Sequence, residues 1–159
     1  MRVIGAVAAL GCVLVWFVDT PAADAAMPLP IGLWLTADGN GVIRMAPCGI
    51  AMCASIVGIG RVNRGEPPPR DFDGHSECGL TIMDDLTETQ PGVWHGHILN
   101  PESGGHYDAR VWLDARGRLK LRGYLDIPLL GETQTWTAFH GHVAANCSFD
   151  QTNINGAQR

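Results

Sequence analysis

The chain has 159 residues, with 11 lysines and arginines against 16 aspartates and glutamates and a net charge of −5 when its histidines are neutral. Its basic residues are scattered singly, apart from Arg116, Arg118, Lys120 and Arg122. That pattern excludes a nucleic-acid-binding surface, and the length suits a single domain.

In chain order, Met1-Arg2 gives a positive start, Val3 to Val18 is apolar, and Ala23-Asp24-Ala25 offers small residues at cleavage spacing. Residues 1–26 therefore read as a secretory signal peptide. The apolar run falls short of the roughly 20 residues that a spanning helix needs, so no stable membrane span is expected after cleavage. The expected compartment is periplasmic or secreted.

The folded domain is expected over residues 27–143. Ile31 to Ala37 reads as a short strand carrying Trp34, and Asp38-Gly39-Asn40-Gly41 reads as a turn. Val42 to Ala46 and Cys53 to Ile59 continue the strand pattern. From Gly60 to Glu77 the chain turns to Arg, Gly, Pro and Asp; Pro67-Pro68-Pro69 forbids regular hydrogen bonding, which makes this loop the place for a lid. Leu80 to Met83 and Val93 to Leu99 read as strands separated by the polar run Asp84 to Gly92, and Asn100 to Gly105 is a turn.

His106 to Leu113 places Tyr107, Ala109, Val111 and Leu113 on one side, and Asp114-Ala115-Arg116-Gly117 turns into a closing hairpin from Arg118 to Phe139. In that hairpin Leu119, Leu121, Gly123 and Leu125 share one face, while Lys120, Arg122, Tyr124 and Asp126 share the other. Thr133, Thr135, Thr137 and Phe139 alternate with Gln134, Trp136 and Ala138 in the same way. The linking turn, Ile127 to Gly131, is unusually apolar and predicts either a plug for a barrel end or a contact with a partner. Residues 144–159 form a polar C-terminal tail, expected to fray. About eight short strands without an amphipathic helix predict an all-β sandwich or up-and-down barrel.

Loss of the leader removes Cys12 and leaves Cys48, Cys53, Cys78 and Cys147, an even set with three connectivities. A disulfide between Cys48 and Cys53 across a hairpin mouth is the simplest pairing. Loop-closure entropy gives it roughly 2 kcal/mol, and a Cys78–Cys147 bridge roughly 4 kcal/mol.

Six segments carry a family resemblance: Gly32-Leu33-Trp34-Leu35-Thr36, the run from Cys48 to Gly58, Cys78-Gly79-Leu80, Trp94 to Ile98, Asn100 to Tyr107, and Arg122 to Trp136. In this order they resemble the DUF2147 family across nearly the whole expected domain. The resemblance implies a small exported bacterial domain with a lipocalin-like β-barrel, and it implies no particular activity. Ala138 stands where an arginine commonly follows the Trp-Thr pair, and Ala54 replaces a glycine after the second cysteine.

Three kinds of chemistry are open to these residues. Trp34, Trp94, Trp112, Tyr124 and Trp136 are candidates to line a pocket for a small apolar or amphipathic ligand, although an eight-stranded barrel is also narrow enough to be filled by side chains. The apolar 127–131 turn is the candidate contact for an envelope protein partner. His95-Gly96-His97 and His140-Gly141-His142 could hold zinc or copper if their strands lay side by side, but exposed histidines on a wet sheet face account for them better.

Asp84 and Asp85 are expected to face opposite ways, which makes them poor partners for acid–base work. Gly58-Ile59-Gly60 lacks the third glycine and the helix of a dinucleotide site. No catalytic residue, metal set or cofactor is therefore assigned, and the chain reads as an exported lipocalin-like binding module rather than an enzyme. Its ligand is expected in the barrel mouth, between the Gly60–Glu77 loop and the Ile127–Gly131 turn.

Overall fold

The computed structural model describes residues 28–63 and 65–151. The expected leader and residues 152–159 lie outside the described residues. Eight strands form one closed antiparallel barrel in simple sequence order: β1 (Gly32–Leu35), β2 (Gly41–Cys48), β3 (Ala51–Ile59), β4 (Thr81–Gln90), β5 (Val93–Leu99), β6 (His106–Leu113), β7 (Leu119–Tyr124) and β8 (Glu132–Ala138). The ring closes where β8 returns to β1, pairing Trp34 with Ala138 and Leu35 with Thr137. Closure leaves no open sheet edge.

Period-2 alternation decides what fills the barrel. Ala109, Val111, Leu119, Leu121 and Trp136 point inward, and register sets Ala109 beside Gly123, Val111 beside Leu121, and Leu119 beside both Leu113 and Trp136. One end of the barrel is packed solid. Met45, Met83, Leu86 and Leu119 are almost fully buried there with Trp94, while Trp34 donates its indole N–H to the Pro30 carbonyl at 2.8 Å. The opposite end gathers the β1–β2, β3–β4, β5–β6 and β7–β8 connections around an opening.

Several sequence expectations change. β4 runs on through the polar segment to Gln90, because two register irregularities against β5 break the alternation that would have announced it. The same irregularity leaves both Asp84 and Asp85 exposed, with Asp85 at a φ of 50°, so the pair does not face opposite ways. At the other hairpin the alternation stops at Tyr124. Asp126 takes a left-handed φ of 57°, and Leu125 is 63% exposed instead of sharing the inner face of Leu121.

Both disulfides are formed, Cys48–Cys53 and Cys78–Cys147. The second overturns the frayed tail as far as Gln151. Residues 139–151 lie as a strap against the outside of the barrel, where Phe139 and Phe149 meet edge to face at 5.6 Å and pack with Leu35 and Val42. The Ile59 N–H donates to the Cys147 carbonyl at 2.7 Å, and the Gln151 amide donates to the Gly39 carbonyl at 2.9 Å, which ties the strap to the open end. No described helix is long and apolar enough to cross a membrane.

Candidate functional site

The open half of the barrel holds a cavity of about 720 Å³, within the size range of small-molecule sites. Its floor is apolar, formed by Ile43, Ile56, Ile82, Ile98, Leu121 and Trp136. It exists because the inward side chains shrink toward this end: Gly123 stands on the inner face of β7, and a Cβ added there would meet only Ile98, at 3.8 Å. Trp136 is held in place as its indole N–H donates to Gln134 Oε1 at 2.9 Å.

The rim is polar. Thr36, Asp38 and Asn40 come from the β1–β2 turn, Arg61 and Glu77 from the two ends of the β3–β4 loop, Glu102 and Tyr107 from the β5–β6 side, and Glu132 and Gln134 from β8. Arg61 donates through Nη2 to both carboxylate oxygens of Glu77, at 2.9 and 2.8 Å. The Glu77 side chain is 5% exposed whereas that of Arg61 is 50% exposed. Burial pushes the Glu77 carboxyl above its ordinary value, Glu102 and Asp71 add to that push, and Arg61 opposes it without cancelling it. Burial also acts upward on Asp38, but hydrogen bonds from Thr36 and Asn40 outweigh it and hold that carboxyl below its ordinary value.

A second, shallower depression lies on the outer wall around His95, His97, Asp108 and Tyr124. Ligand atoms of Asp84, Asp85 and His97 fall within 4.8 Å of one another there, with all three residues exposed. His97 also stands 3.9 Å from Asp84 on one ring nitrogen and 3.9 Å from Asp108 on the other. Loose, solvated ion pairing accounts for this group.

The family model for DUF2147, described as an uncharacterized protein conserved in bacteria, matches residues 32–138, from the first residue of β1 to the last of β8. The chain belongs to the DUF2147 family. Its structure is similar to one described as protein HP1028 from the human pathogen Helicobacter pylori, which belongs to the lipocalin family. The TM-score is 0.59 at 16% identity, covering 82% of this chain and 89% of that one. This likeness concerns the lipocalin-like fold. The comparison with curated proteins returns no match.

In this DUF2147 domain the five aromatic candidates separate. Trp136 lines the cavity. Trp34 and Trp94 are 6% and 3% exposed and belong to the packed core, outside the cavity lining. Trp112 and Tyr124 face outward, because the alternation that turns Val111 and Leu121 in turns them out; Trp112 instead carries the Arg110 guanidinium 5.3 Å from its ring centre. The barrel is thus filled at one end and open at the other.

The two His-Gly-His units stay apart. His95 and His97 lie on β5, His140 and His142 follow β8, and β6 and β7 intervene. Their glycines have packing reasons: a Cβ at Gly96 would lie 2.5 Å from the Asp84 carbonyl, and one at Gly141 would lie 2.5 Å from the Phe139 ring.

The rim residues were not singled out from sequence. For Gln134 and Glu132 a signal existed, since they share a strand face with Trp136 and must enter the barrel if it does. For Arg61 and Glu77 none did, because they stand 16 positions apart at the two ends of a long connection with no periodic pattern.

Proposed function

We propose that this protein is an exported binding module that takes a small amphipathic molecule into the open half of its barrel. The observation that carries this reading is the cavity itself, with an apolar floor reaching Trp136 and a hydrogen-bonding rim. An apolar ligand body would leave water on the floor, at about 25 cal/mol per Å² of surface buried, while the rim groups orient its polar end. Export is supported by the two disulfides, a state that oxidising compartments outside the cytoplasm sustain. Native mass spectrometry of the protein purified from an envelope fraction tests the reading. A retained small molecule, lost on collisional activation, is the expected result; a chain of bare mass under every gentle condition would argue against it.

A second reading rests on the β7–β8 turn. Ile127, Leu129 and Leu130 are 53%, 84% and 79% exposed on a 3-10 turn. Arg122 braces that turn by donating to the Pro128 and Leu129 carbonyls and to Thr133 Oγ1. A braced apolar knob supports contact with an envelope protein. Replacing Leu129 and Leu130 by serine should abolish any cross-link formed at that turn in intact cells; unchanged cross-links would remove this reading.

A further inference from the structure

Charge around the cavity mouth is one-sided. Asp38, Glu77, Glu102 and Glu132 border it, and among the described residues lining the cavity Arg61 is the lone cation. The carboxylates come from three separate connections of the barrel and from the first residue of β8, so the acidic character encircles the opening rather than marking one side of it. Arg61 offsets only Glu77, the carboxylate it is paired with, and leaves Asp38, Glu102 and Glu132 in excess. Its Nη2 is already engaged by both oxygens of Glu77, and its Nη1 stands 4.0 Å from Glu102.

We propose that the ligand is an amphipathic cation, with an alkyl or aryl body on the Ile43, Ile56 and Trp136 floor and an ammonium-type head among the carboxylates of the mouth. This deepens the cavity-binding reading above and rests on it. A cleft lined by one sign of charge focuses its field and concentrates the opposite charge. Glu102, whose side chain is 76% exposed, and Glu132, also exposed, can meet a cation without being desolvated first. An anionic amphiphile of the same length meets the reverse situation. It must take Arg61 from Glu77, leaving a 5%-exposed carboxylate unpaired, and lie among the remaining acids.

Calorimetric titration of the full folded chain with decyltrimethylammonium, decanol and decanoate tests this, because the three probes share one chain and differ in head charge. The cation should bind at least about tenfold more tightly than decanoate, with decanol between them. That preference should shrink when ionic strength rises from about 0.01 M to about 1 M, which shortens the Debye length from about 30 Å to about 3 Å. It should also shrink several-fold in the double variant Glu102→Gln/Glu132→Gln. Decanoate binding as tightly as the cation, or a preference unaltered in the double variant, would overturn the assignment of a cation while leaving the cavity reading intact. Failure of all three probes to bind would overturn both.

Discussion

Asp114 shows how one side chain fixes a connection. Its carboxylate accepts from the Arg116 and Arg118 N–H groups at 2.9 and 3.0 Å and from Arg118 Nε at 2.8 Å, which closes the β6–β7 turn. The hydrogen bond from the Arg118 side chain, helped by those backbone bonds, lowers its pKa to about 2. A carboxyl depressed in the folded state contributes stability that is present above its ordinary value and lost as pH falls through the folded one. Asp114→Asn should therefore flatten the fall in the urea midpoint between about pH 4 and about pH 2, and an unaltered acid slope would remove Asp114 from that role. At the same scale, Trp136→Ala should cost about 3–5 kcal/mol in denaturant unfolding, the range for truncating a buried aromatic; a loss under about 1 kcal/mol would mean that the floor is not packed. Trp136 was legible in the sequence because β8 alternates cleanly. Trp112 and Tyr124 were legible as aromatic but not as outward-facing, since face is fixed by register and register by partners far along the chain.

At the scale of elements, the strap and the β4 irregularity were the hardest to foresee. The strap contains few apolar residues, and the contacts of Cys147 with Cys78 and of Phe149 beside Gly58 each reach residues more than sixty positions earlier in the chain. Its disulfide closes a sequence separation of 69, against 5 for Cys48–Cys53. Replacing both Cys78 and Cys147 by alanine should thus cost roughly 4 kcal/mol, and the Cys48/Cys53 pair roughly 2 kcal/mol. Urea unfolding under oxidising conditions checks the order, and a larger loss from the local bridge would contradict it. In β4, Asp84 and Asp85 interrupt the alternation just where the strand bulges, so polarity and lost period together imitate a loop. Gly96 opposite is the partner that makes the bulge fit, and Gly96→Ala should destabilise by about 1–3 kcal/mol, as overpacking does. Normal stability of that variant would show that the β4 backbone can move aside.

For the molecule as a whole, eight strands in sequence order follow from short alternating runs and compact turns, which is why the barrel could be expected before its coordinates. The half-filled interior could not, because it depends on which inward positions carry Trp94, Met45 and Leu119 and which carries Gly123 once the register is set. Gly123 offers the most direct test of whether this open half receives a ligand. A tryptophan there would occupy space now bounded only by Ile98 at 3.8 Å, filling the cavity from its wall. The measurement is fluorescence titration with the neutral apolar probe N-phenyl-1-naphthylamine, on the natural chain and on Gly123→Trp, with circular dichroism to show that both are folded. Saturable enhancement in the natural chain and its loss in the folded variant is the predicted result; equal enhancement in both would contradict binding inside the barrel.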